Sequence, residues 1–137
     1  MNWFFRALGK YGVFRGRARR KEYWWFVIIS WLLAAVLLAG FLATSGGAIV
    51  AVDGTWKFDD SQVTDAGLAF LVALAAISLI LIVPHLAVTV RRLHDSGKSG
   101  GWVLLLLVLP IVVYILALLR GDSTANKHGP DPISTDA

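Results

Sequence analysis

Long uncharged runs alternate with short charged stretches along this chain. Three runs contain no Asp, Glu, Lys or Arg, and they cover residues 23–44, 66–90 and 102–119. At about 1.5 Å per helical residue, the first two exceed the roughly 30 Å hydrocarbon core of a bilayer, and the third approaches it. Because lipid offers the backbone no hydrogen-bond partner, a crossing segment must be helical. The pattern predicts an all-α integral membrane protein with three transmembrane helices, the third interrupted by Pro110.

The flanking stretches divide the chain into three parts. Residues 1–22 form a basic segment, residues 23–119 the membrane domain, and residues 120–137 a polar C-terminal tail. Within residues 2–12, apolar side chains recur at helical intervals, at Trp3, Phe4, Ala7, Leu8 and Tyr11. This spacing predicts an N-terminal amphipathic helix in the membrane interface, and the alternative is a short helix that packs on its neighbours.

The loop between the first two runs carries a turn signal. Asp53-Gly54 separates two β-favouring stretches, Ile49–Val52 and Thr55–Phe58. Asp-Gly between such stretches favours a two-residue hairpin turn, because a type I′ turn needs positive φ at both central residues. We therefore expect a short β-hairpin here, and the alternative is an irregular loop that rests on the interface.

The charges outside the runs alternate in sign. The net charge is +6 over residues 1–22, −3 over 45–65, +2 over 91–101 and −1 over 120–137. Lys and Arg are retained on the cytoplasmic side, which places the N-terminus and the 91–101 loop in the cytoplasm. Three full crossings then put the tail outside, whereas a third segment that turns back at Pro110 returns it to the cytoplasm.

The composition agrees with a membrane location. Hydrophobic residues make up 57% of the 137 positions and charged residues only 16%, against roughly 45–50% and 25% in soluble domains. A soluble fold of this size has no core large enough for that apolar surface, which excludes a soluble enzyme domain. The chain has 13 Lys and Arg, 9 Asp and Glu, and no cysteine. Since the basic excess adjoins apolar runs, it favours an anionic membrane surface over nucleic acid as partner.

A basic motif leads directly into the first run. Between Phe14 and Trp24 it contains five cations, Arg15, Arg17, Arg19, Arg20 and Lys21. These cations can hold phosphate headgroups at the inner leaflet. Alternatively, they serve only as a topology signal, with aromatic anchors following at residues 23–25.

A second motif joins the second and third runs. Arg91 and Arg92 end one predicted helix, and a glycine-rich turn with Lys98 leads into the next. The free N–H groups of that next helix, together with these cations, can receive a phosphate or lipid headgroup. The alternative is a tight turn, in which Asp95 pairs with Arg92 or with arginines of the basic segment while Ser99 caps the helix.

No constellation of catalytic, cofactor-binding or metal-binding residues appears in the sequence. The three histidines, His85, His94 and His128, are too scattered for metal-ligand spacing, and no nucleophile–base pair stands at a credible spacing. We therefore expect a non-enzymatic protein without a cofactor. His85 lies inside an apolar run, and small residues recur in the first run at Ala35, Ala39 and Ala43. These features leave open a self-associating channel or transporter component as the alternative function.

Three motifs together resemble the YhaH-like family of bacterial inner-membrane proteins, known as domain of unknown function 805. They are Phe-x-Gly-Arg-x-x-Arg-x-Glu-Tyr-Trp over residues 14–24, Arg-Arg-Leu-His-Asp-x-Gly-Lys-Ser-Gly over 91–100, and Asn-x-x-Gly-Pro-Asp-Pro over 126–132. His128 stands where the family usually has tyrosine. The resemblance implies an inner-membrane location and carries no established activity. It also implies a polar cluster on the cytoplasmic side.

The leading hypothesis combines these observations. The chain is expected to be a multi-pass protein of the bacterial inner membrane, whose cytoplasmic basic face engages anionic lipid or a membrane protein partner. The candidate residues form either an anion or lipid site or a structural cluster, and they are Arg17, Arg20, Glu22, Arg91, Arg92, His94, Asp95 and Lys98.

Overall fold

The fold is predominantly helical, as predicted. The computed structural model describes residues 3–46, 49–52 and 55–134. The elements in chain order are α1 (Trp3–Gly9), α2 (Arg20–Ser45), β1 (Ile49–Val52), β2 (Thr55–Phe58), a 3₁₀ turn (Asp60–Gln62), α3 (Asp65–Asp95), a 3₁₀ segment (Gly100–Leu107) and α4 (Pro110–Leu118).

Helices α2 and α3 are the two described helices that are long and apolar enough to cross a membrane. They contain 26 and 31 residues, so each exceeds the thickness of a bilayer core. Their large apolar side chains are exposed, for example Val36 at 65% and Leu79 at 68%. Apolar surface of this extent is typical of lipid contact rather than of a soluble surface. The first two predicted spans therefore coincide with α2 and α3.

The third apolar run does not form one continuous helix. It divides into the 3₁₀ segment and the nine-residue α4, which begins at Pro110. The Ser99 side chain caps the start by accepting from the Gly101 N–H at 3.3 Å, as the sequence predicts. After α4 the chain returns, and the Asp122 N–H donates to the Asp95 carbonyl at 2.8 Å. Asp95 and Asp122, which flank the run, are thus hydrogen-bonded to each other, and a third spanning helix is not confirmed.

The described chain separates into two compact units. The second unit contains Ser30–Ile80, and its loop holds the hairpin. Strands β1 and β2 pair antiparallel, with Ile49 opposite Phe58, so the predicted hairpin is present. The type of turn proposed for residues 53–54 lies outside the described residues. Within the same unit, a Cβ at Gly40 would overlap the Phe70 ring, so glycine allows this ring to pack closely.

The first unit contains residues up to Ile29 and from Leu81 onward, and α1 packs on its core. Phe4 stacks on Phe26 with 5.4 Å between ring centroids, and Ala7 is fully buried. The apolar face of α1 therefore contacts the protein, which corrects the prediction of a face laid on the membrane interface. The helix is also shorter than residues 2–12, since it ends at Gly9.

Candidate functional site

The side chain of Arg92, in the last turn of α3, caps the C-terminal end of α4. Its Nε donates to the Ala117 carbonyl at 2.9 Å, and Nη2 donates to the Leu119 carbonyl. The last carbonyls of a helix have no partners within the helix and carry partial negative charge, so a buried guanidinium stabilises this end. Nη1 donates to the Asp95 carboxylate, and the residue is only 1% exposed. This arginine therefore ties the last turn of α3 to the end of the third apolar run.

Arg17 joins the basic segment to the tail. Its Nε donates to Oδ1 of Asp95 at 2.8 Å, and the side chain is 1% exposed. Nη1 donates to the Thr124 carbonyl at 2.7 Å and to the Gly129 carbonyl at 3.4 Å, while Nη2 donates to the Asp122 carbonyl. A single buried side chain therefore holds both the end of α3 and three carbonyls of the tail.

Asp95 is the shared carboxylate of these two arginines. Oδ1 accepts from Arg17 and Oδ2 from Arg92, so both oxygens are used in buried, charge-assisted hydrogen bonds. A Cβ at Gly121 would overlap this carboxylate, so only glycine leaves room for the chain to pass. The turn interpretation of the loop motif, in which Asp95 pairs with arginines of both segments, matches this geometry.

A second buried ion pair joins α2 to α3. Nη1 of Arg91 donates to Oε1 of Glu22 at 2.6 Å, and both side chains are at most 2% exposed. Nε of Arg6 lies 3.7 Å from the other carboxylate oxygen, which brings α1 to the same pair. The remaining two nitrogens of Arg91 have no hydrogen-bond partner within the described chain. The Glu22 carboxylate therefore balances the charge of Arg91, and Arg6 approaches the same carboxylate.

The tail motif docks on the loop motif through His94. Its ring stacks on the ring of His128, with 3.8 Å between centroids and 5° between planes. Nδ2 of Asn126 donates to the His94 carbonyl at 3.0 Å and to Asp122 Oδ2 at 2.8 Å. The imidazole of His128 supplies a planar ring in the stack at the position where the resembling family has tyrosine. Within the described residues, no group of three His, Asp or Glu is placed to hold a metal ion.

The structure buries five of the eight predicted site residues and leaves the other three partly or fully exposed. The buried cluster, as we name it here, contains Arg17, Glu22, Arg91, Arg92 and Asp95. His94 lies half-buried at its edge, whereas Arg20 is exposed at the start of α2 and Lys98 is half-buried in the turn. The arginines of the buried cluster are at most 7% exposed, so an outside anion does not reach them. The available charge must therefore come from exposed cations.

The tail packs against the basic segment. Besides the Arg17 contacts, Nε of Arg19 donates to the Pro132 carbonyl at 2.9 Å, and Nη2 donates to the Ile133 carbonyl at 3.0 Å. Of the two paths that the sequence leaves open for the tail, these bonds to residues 17–19 favour the one in which the third segment turns back at Pro110. Charge counting missed this, since backbone carbonyls carry no side-chain signal.

A cleft of about 530 Å³ lies beside the cluster. Its walls come from the start of α2 and from the tail, and they include Trp3, Arg19, Arg20, Lys21, Arg92, Asp95, Arg120, Gly121, Asp122, Ser123, Asp131, Pro132 and Ile133. Three of these cations are exposed and have no partner among the described residues, namely Arg20, Lys21 and Arg120; we call them the basic rim. Sequence reasoning missed Arg120, although it follows the third apolar run as Arg20 and Lys21 precede the first.

The acidic groups of the cleft already have partners. Asp95 is paired with two arginines, Asp122 accepts from Asn126, and Oδ1 of Asp131 accepts from the Ile133 N–H at 2.9 Å. The hydrogen bonds from Asn126 and from the Ile133 N–H leave the carboxylates of Asp122 and Asp131 charged, but the cleft is lined by five cations against three carboxylates and is therefore net positive. This arrangement suits an anion.

Comparison with known proteins identifies the family. A family model described as "Protein of unknown function (DUF805)" matches residues 11–130. The chain belongs to this family. The DUF805 match spans the basic motif, the loop motif and residues 126–130 of the tail motif, so the family resemblance drawn from those motifs is confirmed.

Two relatives in Escherichia coli K12 share this range. The chain is 34% identical over 136 residues to "Inner membrane protein YhaI", covering 96% of each protein. It is 33% identical over 136 residues to "Inner membrane protein YhaH", covering 96% of this chain and 97% of that protein. No solved structure matches the chain. The names of these relatives agree with the two apolar helices α2 and α3 of this DUF805 protein.

His85, the basis of the alternative channel hypothesis, lies apart from the buried cluster. Its ring meets Phe26 edge-on with 6.2 Å between centroids, and Nε2 has no hydrogen-bond partner among the described residues. A conduction role for His85 remains a hypothesis from the sequence alone.

Proposed function

We propose that this DUF805 protein is a non-enzymatic, multi-pass protein of the inner membrane whose cytoplasmic basic face engages anionic phospholipid. The observation that carries the proposal is the basic rim. Arg20, Lys21 and Arg120 are exposed, have no partner among the described residues and surround a cleft. Each adjoins an apolar run, where a cation near an anionic leaflet gains about 1 kcal/mol.

The proposed topology places the basic segment, the 91–101 loop and the tail in the cytoplasm. Helices α2 and α3 cross the membrane, and the third apolar run enters and returns on one side. The positive charge of the first two regions supports this orientation. The bond between Asp122 and Asp95 supports the returning path. The acidic tail is compatible with it, since Asp and Glu contribute little to orientation.

The buried cluster acts in this proposal as the support of the face. Arg17 and Arg92 fix the tail and the end of α4 against Asp95, so that Arg120 is held near the start of α2. Charged groups that are fully paired and buried cannot meet a headgroup without breaking those pairs. The support and the contact surface are therefore different residues.

Lipid enrichment tests the proposal. The full chain is reconstituted into nanodiscs from an equimolar mixture of phosphatidylcholine and phosphatidylglycerol, and the lipid around the protein is quantified. We expect phosphatidylglycerol to be enriched, and the triple variant Arg20→Gln, Lys21→Gln, Arg120→Gln to lose most of that enrichment. Each neutralised cation weakens attraction about fivefold.

A charge-matched variant serves as the control. Arg15→Gln, Lys57→Gln, Lys127→Gln removes three exposed cations that do not line the cleft. It has the same net charge as the triple rim variant and should retain most of the enrichment. If enrichment is unchanged in the rim variant, lipid engagement is wrong and the face is left to a protein partner.

A further inference from the structure

We propose that the cleft beside the buried cluster is a site for one phosphoglycerol headgroup of a membrane lipid, whose phosphate binds between the start of α2 and Arg120. This inference rests on the proposed function and deepens it, because general attraction to an anionic surface requires no defined site.

The volume suits a small organic ligand. About 530 Å³ falls within the roughly 300–1,000 Å³ typical of ligand pockets. A single water occupies about 30 Å³, so the cleft is far larger than a lone ion or water needs. A phosphate that carries a further polar group fits this space better than a bare phosphate.

The cations of the basic rim come from two separate elements. Arg20 and Lys21 begin α2, while Arg120 follows α4, and its backbone is held by the bonds of Leu119 to Arg92 and of Asp122 to Asp95. An anion between them can meet guanidinium groups from both sides, and guanidinium binds phosphate oxygens in a bidentate manner. The first-turn N–H groups of the 26-residue α2 lack acceptors within the helix and add positive potential to the same point.

The position of the cleft favours a lipid as the source of the phosphate. Exposed apolar residues immediately precede Arg120, with Leu118 at 57% and Leu119 at 45% exposure. Trp25, in the second turn of α2, is also exposed, at 52%. A phosphate at this boundary between polar and apolar surface has room for its acyl chains beside it, whereas a free phosphate gains nothing from that surface.

The second wall selects among headgroups. It carries the exposed hydroxyl of Ser123, which can accept a hydrogen bond, and the carboxylate of Asp131, whose Oδ1 already accepts from the Ile133 N–H. The terminal hydroxyls of phosphoglycerol donate to such acceptors, and the headgroup keeps the net negative charge that the basic rim attracts. An ethanolamine headgroup also donates, but its ammonium cancels that net charge.

Titration of the full chain in neutral detergent tests the site. The probes are short-chain phosphatidylglycerol, short-chain phosphatidylethanolamine and soluble glycerol phosphate, with heat as the readout. We expect saturable, one-to-one binding of phosphatidylglycerol and binding at least about tenfold weaker for the other two. Equal affinity for glycerol phosphate would overturn the lipid source, and preference for phosphatidylethanolamine would overturn the headgroup.

Two exposed arginines provide a matched pair of variants. Arg120→Gln should weaken phosphatidylglycerol binding about tenfold, because a charge-assisted hydrogen bond to the phosphate is lost. Arg15→Gln, which removes the same charge outside the cleft, should leave the affinity unchanged. Both positions are on the surface, so circular dichroism should show wild-type helix content for each. Equal losses in the two variants would contradict a defined site.

The two proposals can fail separately. If nanodisc enrichment depends on the basic rim but titration shows no saturable binding, the headgroup site is wrong and surface attraction stands. If enrichment and titration are both absent, both proposals fall.

Discussion

Replacing Arg17 with methionine is expected to lower the free energy of unfolding by about 3–5 kcal/mol, because it removes one partner of a buried ion pair. Asp95 would remain buried with only Arg92 opposite Oδ2. The carbonyls of Asp122, Thr124 and Gly129 would lose their shared donor. The tail should therefore separate from the end of α3 while α2 and α3 persist.

Denaturant titration in detergent measures the stability change, and limited trypsin digestion measures release of the tail at Lys127. Arg15→Met is the control, since it changes the same residue type two positions earlier at an exposed site. Surface substitutions of this kind usually shift stability by less than about 0.5 kcal/mol. Equal stability and equal digestion of the two variants would contradict the role of Arg17.

Replacing Glu22 with leucine is expected to destabilise the protein by a similar amount, about 3–5 kcal/mol, because it removes the acidic partner of the buried Arg91. Arg91 would keep its charge at 1% exposure without a carboxylate, and two of its nitrogens already have no partner among the described residues. Arg91 therefore depends on Glu22 for its hydrogen-bonded carboxylate. The helices should therefore unfold at a lower denaturant concentration than in the wild type.

A double-mutant cycle decides whether pairing causes that loss. Glu22→Leu combined with Arg91→Met should recover most of the lost stability, because replacing both members of a buried pair with apolar groups is often neutral or stabilising. Lys21→Leu, at an exposed neighbouring position, is the control and should change stability little. Additive losses in the double variant would show that Glu22 and Arg91 act independently, contrary to the geometry.

These buried ion pairs account for much of the charge in the basic and loop motifs. The four arginines among the predicted site residues differ in burial, and burial decides their roles. Arg17, Arg91 and Arg92 are at most 7% exposed and hold segments together, whereas Arg20 is exposed. Charge reversal at the buried positions would therefore report folding rather than ligand binding.

Local patterns predicted the elements that depend on local physics. The uncharged runs predicted α2 and α3, because helix length and apolar character are visible in consecutive residues. The β-favouring stretches around residues 53–54 predicted strands β1 and β2, and Ser99 predicted its cap. In each case the interaction lies within a few positions of the residue that signals it.

The path of the third apolar run and of the tail depends on contacts that the sequence does not display. The bond from the Asp122 N–H to the Asp95 carbonyl joins backbone groups, which every residue possesses. Arg17 likewise binds carbonyls of the tail, so no complementary side chain marks its partner. Hydropathy and charge counts cannot register such bonds, and they favoured an outward tail for that reason.

Cysteine accessibility tests most directly whether the basic segment, the loop and the tail form one cytoplasmic face. The chain has no cysteine, so single cysteines at Gly12, Ser61 and Ser134, all exposed, give unambiguous labels. In intact spheroplasts treated with a membrane-impermeant maleimide, we expect Ser61→Cys to react, and Gly12→Cys and Ser134→Cys to react only after lysis. Labelling of Ser134→Cys in intact spheroplasts, with Gly12→Cys protected, would place the tail across the membrane and contradict the cluster.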